Sequence, residues 1–440
     1  MAPGGEPYLS GSMPNSAAKA AKSFLPKLAS TFIEGYRLAD FRRDAAAGLT
    51  VAVVALPLSM AIAAASGVSP ERGVHTAIVG GLVVSALGGS RFQIGGPAGA
   101  FIVLVSATVA RFGLEGLALA VMISGVLLTL LGAFRLGGLI RHIPHPVTIG
   151  FTAGIAVTIL ASQLKDLFGL TLTGPEPGHL VEKVGVLLRA APTLSWAALL
   201  LGVGVAAAIV GLRRWRPAWP GMLIAVVGAA LAAALFDLPV TTIADRFGDL
   251  PRTLPLPQLP NFDRALFIAV LPAALSFTLL GGIESLLSAV VADGMTGRKH
   301  RSNIELVAQG LANVASSLFG GISVTGTIAR TATNIRAGAR SPVSGILHSV
   351  FLLLFLLIAA PLAGFIPMAA LAGVLVIVAW NMTETSEFTR LCRQWRSGAI
   401  LFATFGVTLL NDLTIGIACG CLLAFAFWTY DRLHKSGPQS

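Results

Sequence analysis

Charged side chains are scarce in this sequence: Asp, Glu, Lys and Arg make up 12% of its 440 residues, against 55% for hydrophobic types. A soluble domain usually has about a quarter of its residues charged. Half that density cannot cover a water-facing surface of this size, which excludes a soluble globular protein and makes lipid the principal solvent. Cysteine is scarcer still. Cys392, Cys419 and Cys421 lie in or beside apolar runs, without metal-ligand spacing, so neither a zinc site nor a disulfide framework is indicated. No G-x-S-x-G, H-E-x-x-H or phosphate-cradling loop occurs, so the chain reads as a non-enzyme without a cofactor. The N-terminus lacks the charged-then-apolar stretch and cleavage site of a signal peptide. Residues 1–43 read instead as a cytoplasmic segment, with a short surface helix within 15–43.

What is abundant points the same way. The chain has 49 glycines and 24 prolines and a mean hydropathy of +0.81, and both residues are commoner in membrane helices than in soluble ones. A spanning helix needs about 20 apolar residues. Breaks at Gly/Pro and charge clusters predict spans near 44–66, 72–89, 97–111, 115–134, 143–165, 194–212 and 219–236. After a polar extracellular linker (237–262), further spans follow near 264–292, 303–320, 327–338, 342–363, 366–381, 397–411 and 413–430. The expected fold is thus an all-α polytopic membrane protein of about fourteen segments, the third and tenth too short to cross alone.

The net charge of +11 does not indicate nucleic acid, because the basic residues sit in short turns. Arg42-Arg43, Arg135, Arg213-Arg214-Arg216, Arg298-Lys299-Arg301 and Arg390 to Arg396 all fall on one side of this count. Few, such as Arg72 and Arg111, fall on the other. By the positive-inside bias, both termini and the tail 431–440 are cytoplasmic in a cell membrane.

Landmarks recur between halves 44–236 and 263–430. Asp44 opens the first span and Asp263 the eighth; Gly95-Gly96-Pro97 precedes the third, and Gly320-Gly321 through Gly326 the tenth. Ile143-Pro144 starts the fifth and Ile366-Pro367 the twelfth. The spacing is about 220–230 residues and separates members by seven spans, which inverts the second copy; inverted repeats with Gly/Pro-interrupted short helices point to a transporter's midplane site.

In such a pair, the N-termini of the third and tenth helices face each other. Each exposes unpaired N–H groups and roughly half a positive charge, which favours a bound anion. Pro97 suits a first helical position. Ala98, Gly99 and Gly326 let backbone approach a ligand, and Thr325 and Thr327 can offer hydroxyl donors. Arg330 lies in the first turn of the tenth helix, where the macrodipole disfavours a cation, so a substrate counter-charge is the functional reading and a permanent buried acid partner the structural one. Glu284 is the other intramembrane charge, with Ser288 on the same helix face. It reads as a proton-coupling group, as a Na⁺ ligand together with Ser288, or as a packing residue or partner of Arg330. Asp293 reads as a turn residue, and His142 and His145 as interfacial.

Asp44-Ala-Ala-Ala-Gly-Leu-Thr followed by Ala55-Leu56-Pro57 resembles the opening of the sulfate permease (SulP) anion transporters, which include prestin and pendrin. So do Gln93 to Phe101, Ile283-Glu284-Ser285-Leu286-Leu287, Ser302-Asn303 to Ala315, and Thr325 to Thr331. The resemblance spans about 40–430. It implies a seven-plus-seven inverted repeat, with a core domain of spans one to four and eight to eleven moving elevator-fashion against a gate domain of the rest. It implies an anion between the third and tenth helices, against Leu58, Ile62, Ala98, Thr327, Ala329 and Arg330, with Glu284 at the cation or proton position.

Two departures stand out. Relatives usually continue into a cytoplasmic STAS domain, whereas this chain stops at Ser440, so dimerisation through such a domain is in question and a homodimer is left open as a partner state. Ser323 stands where relatives often carry proline. Nucleobase carriers of the same fold place carboxylates on both the eighth and tenth helices; Arg330 favours an anion instead. The resulting expectation is a secondary active transporter of a small anion: a dicarboxylate such as fumarate or succinate, bicarbonate, or sulfate. Coupling to H⁺ is favoured; Na⁺ symport, anion exchange, and an anion channel or voltage-driven motor are the alternatives.

Overall fold

The computed structural model describes residues 24–140, 144–174, 176–177, 180–217, 219–410 and 413–435, all helices and connecting turns apart from one two-stranded crossing and an isolated bridge. His142 and most of the stretch before Lys27 lie outside the described residues. The surface helix expected there is represented by α1 (Lys27–Ile33).

In the first half, α2 (Leu38–Ala65) leads through Gly67 into α3 (70–87), which opens on Pro70 and contains a π turn at Thr76–Gly80. Then come strand β1 (Gly95–Gly96) and α4 (Gly99–Ala133). α4 holds both the third and fourth expected spans. Gly113, at φ 69° and ψ −171°, breaks its helical course between them, a conformation only glycine adopts without strain. α5 (His145–Phe168), α6 (Leu180–Ala190), α7 (Trp196–Trp215) and α8 (Gly221–Leu235) complete this half.

The second half comprises α9 (Arg264–Thr296), α10 (Ser302–Leu318), strand β2 (Thr325–Gly326) and the nine-residue α11 (Ile328–Arg336). α12 (Val343–Ala363), α13 (Met368–Met382), α14 (Thr385–Cys392), α15 (Trp395–Leu410) and α16 (Leu413–Lys435) follow. The short amphipathic α14 was not anticipated, because its Thr, Glu and Arg content reads as a loop. Among the described residues, seven helices are long and apolar enough to cross a bilayer: α2, α4, α5, α7, α9, α12 and Met368–Cys392. Three shorter ones, within α8, α15 and α16, are also apolar.

Packing divides the helices into two groups. α4 lies along α10 and α9, and α12 along α2, with α3 and α11 enclosed among them. α5, α13, α15, α16, α7 and α8 pack on one another. Lipid offers no hydrophobic drive between apolar helices, so close backbone approach must supply the contact energy. α4 and α10 show it: a methyl added at Gly125 would lie 2.6 Å from the Gly310 carbonyl, and one at Gly310 would lie 2.4 Å from that of Gly125.

Candidate functional site

The two short helices start from a shared crossing. β1 and β2 pair antiparallel, Gly95 opposite Gly326 and Gly96 opposite Thr325. Antiparallel strands that each run on into a helix send those helices away in opposite senses. Ala98 (φ −121°, ψ 148°) and Thr327 (φ −103°, ψ 121°) are the extended residues ahead of each first turn. Pro97 is therefore not at a first helical position: the strand pairing keeps the chain extended to Ala98, and the helix begins at Gly99 as a 3₁₀ turn. Both helix N-termini, with their unpaired N–H groups, meet at this crossing.

A polar scaffold fixes it. Ser285 of α9 accepts from the Gly326 N–H at 3.1 Å and shares a hydrogen bond with Thr325 Oγ1 at 3.0 Å. Thr327 donates its N–H (3.0 Å) and hydroxyl (3.2 Å) to the Ile94 carbonyl. Thr331 Oγ1 accepts from the Ile94 N–H at 3.1 Å and from Ser288 Oγ at 3.2 Å. Upstream, the Asn313 side chain grips Val324 at both backbone atoms, each at 2.9 Å, and Ser323 Oγ donates to Asn313 Oδ1 at 3.3 Å. These bonds revise part of the sequence reading. The Thr325 and Thr327 hydroxyls bind protein groups rather than standing free as donors, and Ser288 braces α11.

Arg330 turns back from α11 into this scaffold and is 2% exposed. Its Nη2 donates to Ser59 Oγ on α2 (3.1 Å) and to the Pro97 carbonyl (3.2 Å), while Nε and Nη1 have no partner. No ion pair involves Arg330 among the described residues, so neither a permanent acid partner nor pairing with Glu284 is what the structure holds. Nη1 lies against Gly96, where an added methyl would be 2.2 Å away. Leu58 and Ile62, one turn apart on α2, are buried, as is Ala98; Ile328 and Ala329 in the first turn of α11 are exposed. Gly99 sits against Ile159 of α5 and Val378 and Met382 of α13, so the first turn of α4 touches the second helix group. Glu284 is half-buried, with Oε2 enclosed and unpartnered.

Outside the crossing, Asp293 accepts from the His300 N–H (3.1 Å) and pairs with its ring (2.7 Å), as a turn residue would. His145 faces Glu387 at 3.2 Å. A cavity of about 440 Å³ opens elsewhere, beneath residues 251–261, and none of the candidate residues lines it. Sequence reasoning missed Ser59, Ser285 and Asn313. Only Gln309 and Asn313, an i, i+4 amide pair on an amphipathic helix, left a readable signal.

With no acid beside it, a guanidinium between two helix N-termini attracts anions, and its comparison with known proteins agrees. The chain is 44% identical to a putative sulfate transporter of Bacillus subtilis, YvdB, over 90% of its own length and 75% of the relative's. It is 32% identical to the bicarbonate transporter BicA of a Picosynechococcus strain, over 88% and 69%. The solved transmembrane domain of a cyanobacterial BicA superposes with a TM-score of 0.79 at 30% identity, covering 87% of this chain and 98% of that one. The structure of SLC26A9 superposes at 0.85 with 19% identity, over 94% and 69%, and so shares the fold. Residues 41–405 match the Sulfate permease family, and the chain belongs to that family of membrane anion transporters.

Proposed function

We propose that the protein carries a small inorganic oxyanion, sulfate or bicarbonate, bound where the N-termini of α4 and α11 meet. The observation that carries this is Arg330: buried, without an acid partner, with two guanidinium nitrogens unbonded. Burying such a charge is costly unless a counter-charge joins it for part of the working cycle. The relatives named for sulfate and bicarbonate support these two substrates. A dicarboxylate such as fumarate or succinate is the second reading, favoured by the apolar wall of Leu58, Ile62 and Ala98.

Transport proceeds by movement of one helix group, α2 to α4 with α9 to α12, against the other. Gly99 at their contact lets the bound anion pass from one face to the opposite one. In this reading the fourteen segments form two inverted sevens, with both termini inside the cell. Glu284 couples transport to a proton. Its Oε2 is enclosed and unpartnered, as a carboxyl that loads and releases a proton would be. Ser288 donates its hydrogen to Thr331 and keeps its oxygen lone pairs, so a Na⁺ site with Glu284 is the second reading of the coupling ion.

Uptake of labelled sulfate, bicarbonate, fumarate and succinate into proteoliposomes tests the proposal. Arg330→Ala is expected to lower uptake about 10- to 100-fold, the worth of a charged hydrogen-bonded contact; unchanged uptake removes Arg330 from the site. Glu284→Gln is expected to abolish the response to an inward proton gradient while uptake continues. Coupling that survives Glu284→Gln places the proton elsewhere.

A further inference from the structure

The cavity of about 440 Å³ beneath residues 251–261 has no part in the transport reading. It lies at the helix ends that the proposed topology turns outward. Its walls are the first two turns of α3, the stretch of α4 after the Gly113 break, the C-terminal end of α10, and the extended linker itself. Three prolines of the linker, Pro251, Pro255 and Pro260, line it, and the Gln258 N–H ties the linker to the Leu318 carbonyl at 2.8 Å.

Four ionisable side chains line this space: Glu71, Arg72 and His75 from α3, and Glu115 from α4. His75 is 4% exposed, and both of its ring nitrogens are buried without a partner. Glu71 accepts from Ser69 Oγ through Oε1, while Oε2 is buried and unpartnered. Four residues apart, the carboxylate and the imidazole share one helix face. Buried polar groups without partners cost stability, and a wall with nothing to bind is better built from apolar side chains. Arg72 is the one cation. It donates Nη1 to the Gly320 carbonyl at 2.8 Å, just past the C-terminus of α10, where the negative end of a helix suits a positive charge. Two carboxylates remain, and neither is in an ion pair among the described residues.

We infer that this cavity is a binding site for a small organic amine in its ammonium form. The ammonium donates to Glu71 Oε2 and to an imidazole nitrogen of His75, and Glu115 adds a second negative charge. The carbon frame of the ligand lies against Leu114, Ala118 and Pro255. A bare metal ion suits the site less well: among the described residues no three His, Cys, Asp or Glu side chains converge as a metal site. The volume instead falls among small-molecule pockets, which span about 300–1,000 Å³. The site is separate from the crossing of β1 and β2, so it stands whether or not Arg330 holds an anion.

Binding of labelled tyramine to the purified full chain, in nanodiscs of uncharged phosphatidylcholine, tests it at about pH 7.5, where an alkylamine is charged. The comparison compound is 4-hydroxyphenylacetate, of similar size and opposite charge. Tyramine is expected to bind saturably and roughly tenfold or more tightly than 4-hydroxyphenylacetate. Glu71→Gln keeps the shape of the side chain and removes its charge, and is expected to weaken tyramine about tenfold. His75→Leu is expected to weaken it by a smaller factor. Amide exchange in residues 252–261, above all at Gln258, is expected to slow when tyramine binds. No saturable binding of tyramine, equal binding of the two compounds, or full affinity in folded Glu71→Gln overturns the inference. Exchange in the linker that is unchanged while tyramine is bound places the amine elsewhere and overturns it as well. If Glu71→Gln fails to fold, the two compounds and the exchange measurement on the wild type decide.

Discussion

Residues 95–101 lead into α4 with nothing but Gly, Pro, Ala and Phe, whereas residues 325–331 lead into α11 with three threonines and an arginine. Both stretches pass through the same antiparallel crossing and both end in a free helix N-terminus. The backbone supplies matching dipoles from the two sides, and one side alone supplies the side-chain chemistry. The difference shows in the bonds: hydroxyls on α9 and α11 brace the second stretch, while the first is held by its partner strand and by Arg330 reaching across to the Pro97 carbonyl. Near-symmetric geometry thus creates an anion-attracting place, and the asymmetry puts the fixed charge on one side of it.

Exchanging the two glycines of the crossing probes this directly. Gly96→Ala puts a methyl 2.2 Å from Arg330 Nη1, and Gly326→Ala puts one 1.9 Å from Gln93 Nε2. Both obstacles are ends of flexible side chains, and Gly96, at φ 158°, adds backbone strain that Gly326 does not, so protein yield and thermal midpoint are compared alongside uptake. Arg330 has bonds to Ser59 and Pro97 to lose, whereas the Gln93 amide is unbonded at both atoms. Gly96→Ala is therefore expected to lower anion uptake by about tenfold or more, with a smaller loss for Gly326→Ala. Equal losses would mean that the crossing itself, rather than Arg330, sets the rate.

The same contrast recurs at the two aspartate landmarks: Asp44 lies inside α2, which begins earlier, at Leu38, and Asp263 is the N-cap of α9. Asp44 is buried and accepts from Tyr36 Oη (2.8 Å), the Arg340 N–H (2.6 Å), the Ser341 N–H (3.2 Å) and Ser341 Oγ (2.5 Å), so it ties α2 to the turn before α12. Burial and that carboxylate together push the Tyr36 phenol well above its ordinary range. Asp263 is exposed and caps α9 through the Leu266 N–H at 3.1 Å. Asp44→Asn, which turns an acceptor into a donor among donors, is expected to cost about 2–3 kcal/mol. Asp263→Asn should be nearly neutral, since Asn caps as well as Asp. Denaturant midpoints in detergent compare the two, and similar shifts would show that the landmarks serve one role.

How much of this was legible beforehand follows from what each feature depends on. That the chain has several apolar spans could be read because hydropathy is local, and Gly113 breaks the helix within the gap left between 111 and 115. The short helices were visible as Gly/Pro interruptions, and Arg330 as a charge in an apolar stretch. What could not be read depends on which segments meet. Pro97 looked like a helix start because nothing local announces that Gly95 and Gly96 pair with a strand 230 or so residues away. The hydrogen bonds of Thr327 and Ser288 could not be read because their partners, Ile94 and Thr331, are contributed by other segments. His75 left no signal at all, for a lone histidine near the start of a span gives no hint of what its ring faces.

The smallest expected effect concerns α1. It is held to the turns before β1 and α10 by Arg91, which hydrogen-bonds Glu34 and lies 3.4 Å from Thr31 Oγ1, and by Arg301, whose Nη1 reaches Ser30 Oγ at 3.0 Å and the Leu25 carbonyl. The hydrogen bond from Arg91 holds the Glu34 carboxyl below its ordinary range. A carboxyl with a lower pKa folded than unfolded stabilises the folded state above the unfolded value, and that contribution fades as pH falls through the folded one. Glu34 is exposed, so solvent screening limits the contribution to a few tenths of a kcal/mol. Protection factors of the amides in residues 27–34, corrected for intrinsic exchange, should therefore fall slightly below about pH 4, and Glu34→Gln should remove that fall. Protection factors that stay flat across that range would assign the hold on α1 to Arg301 and its uncharged acceptors, which do not titrate.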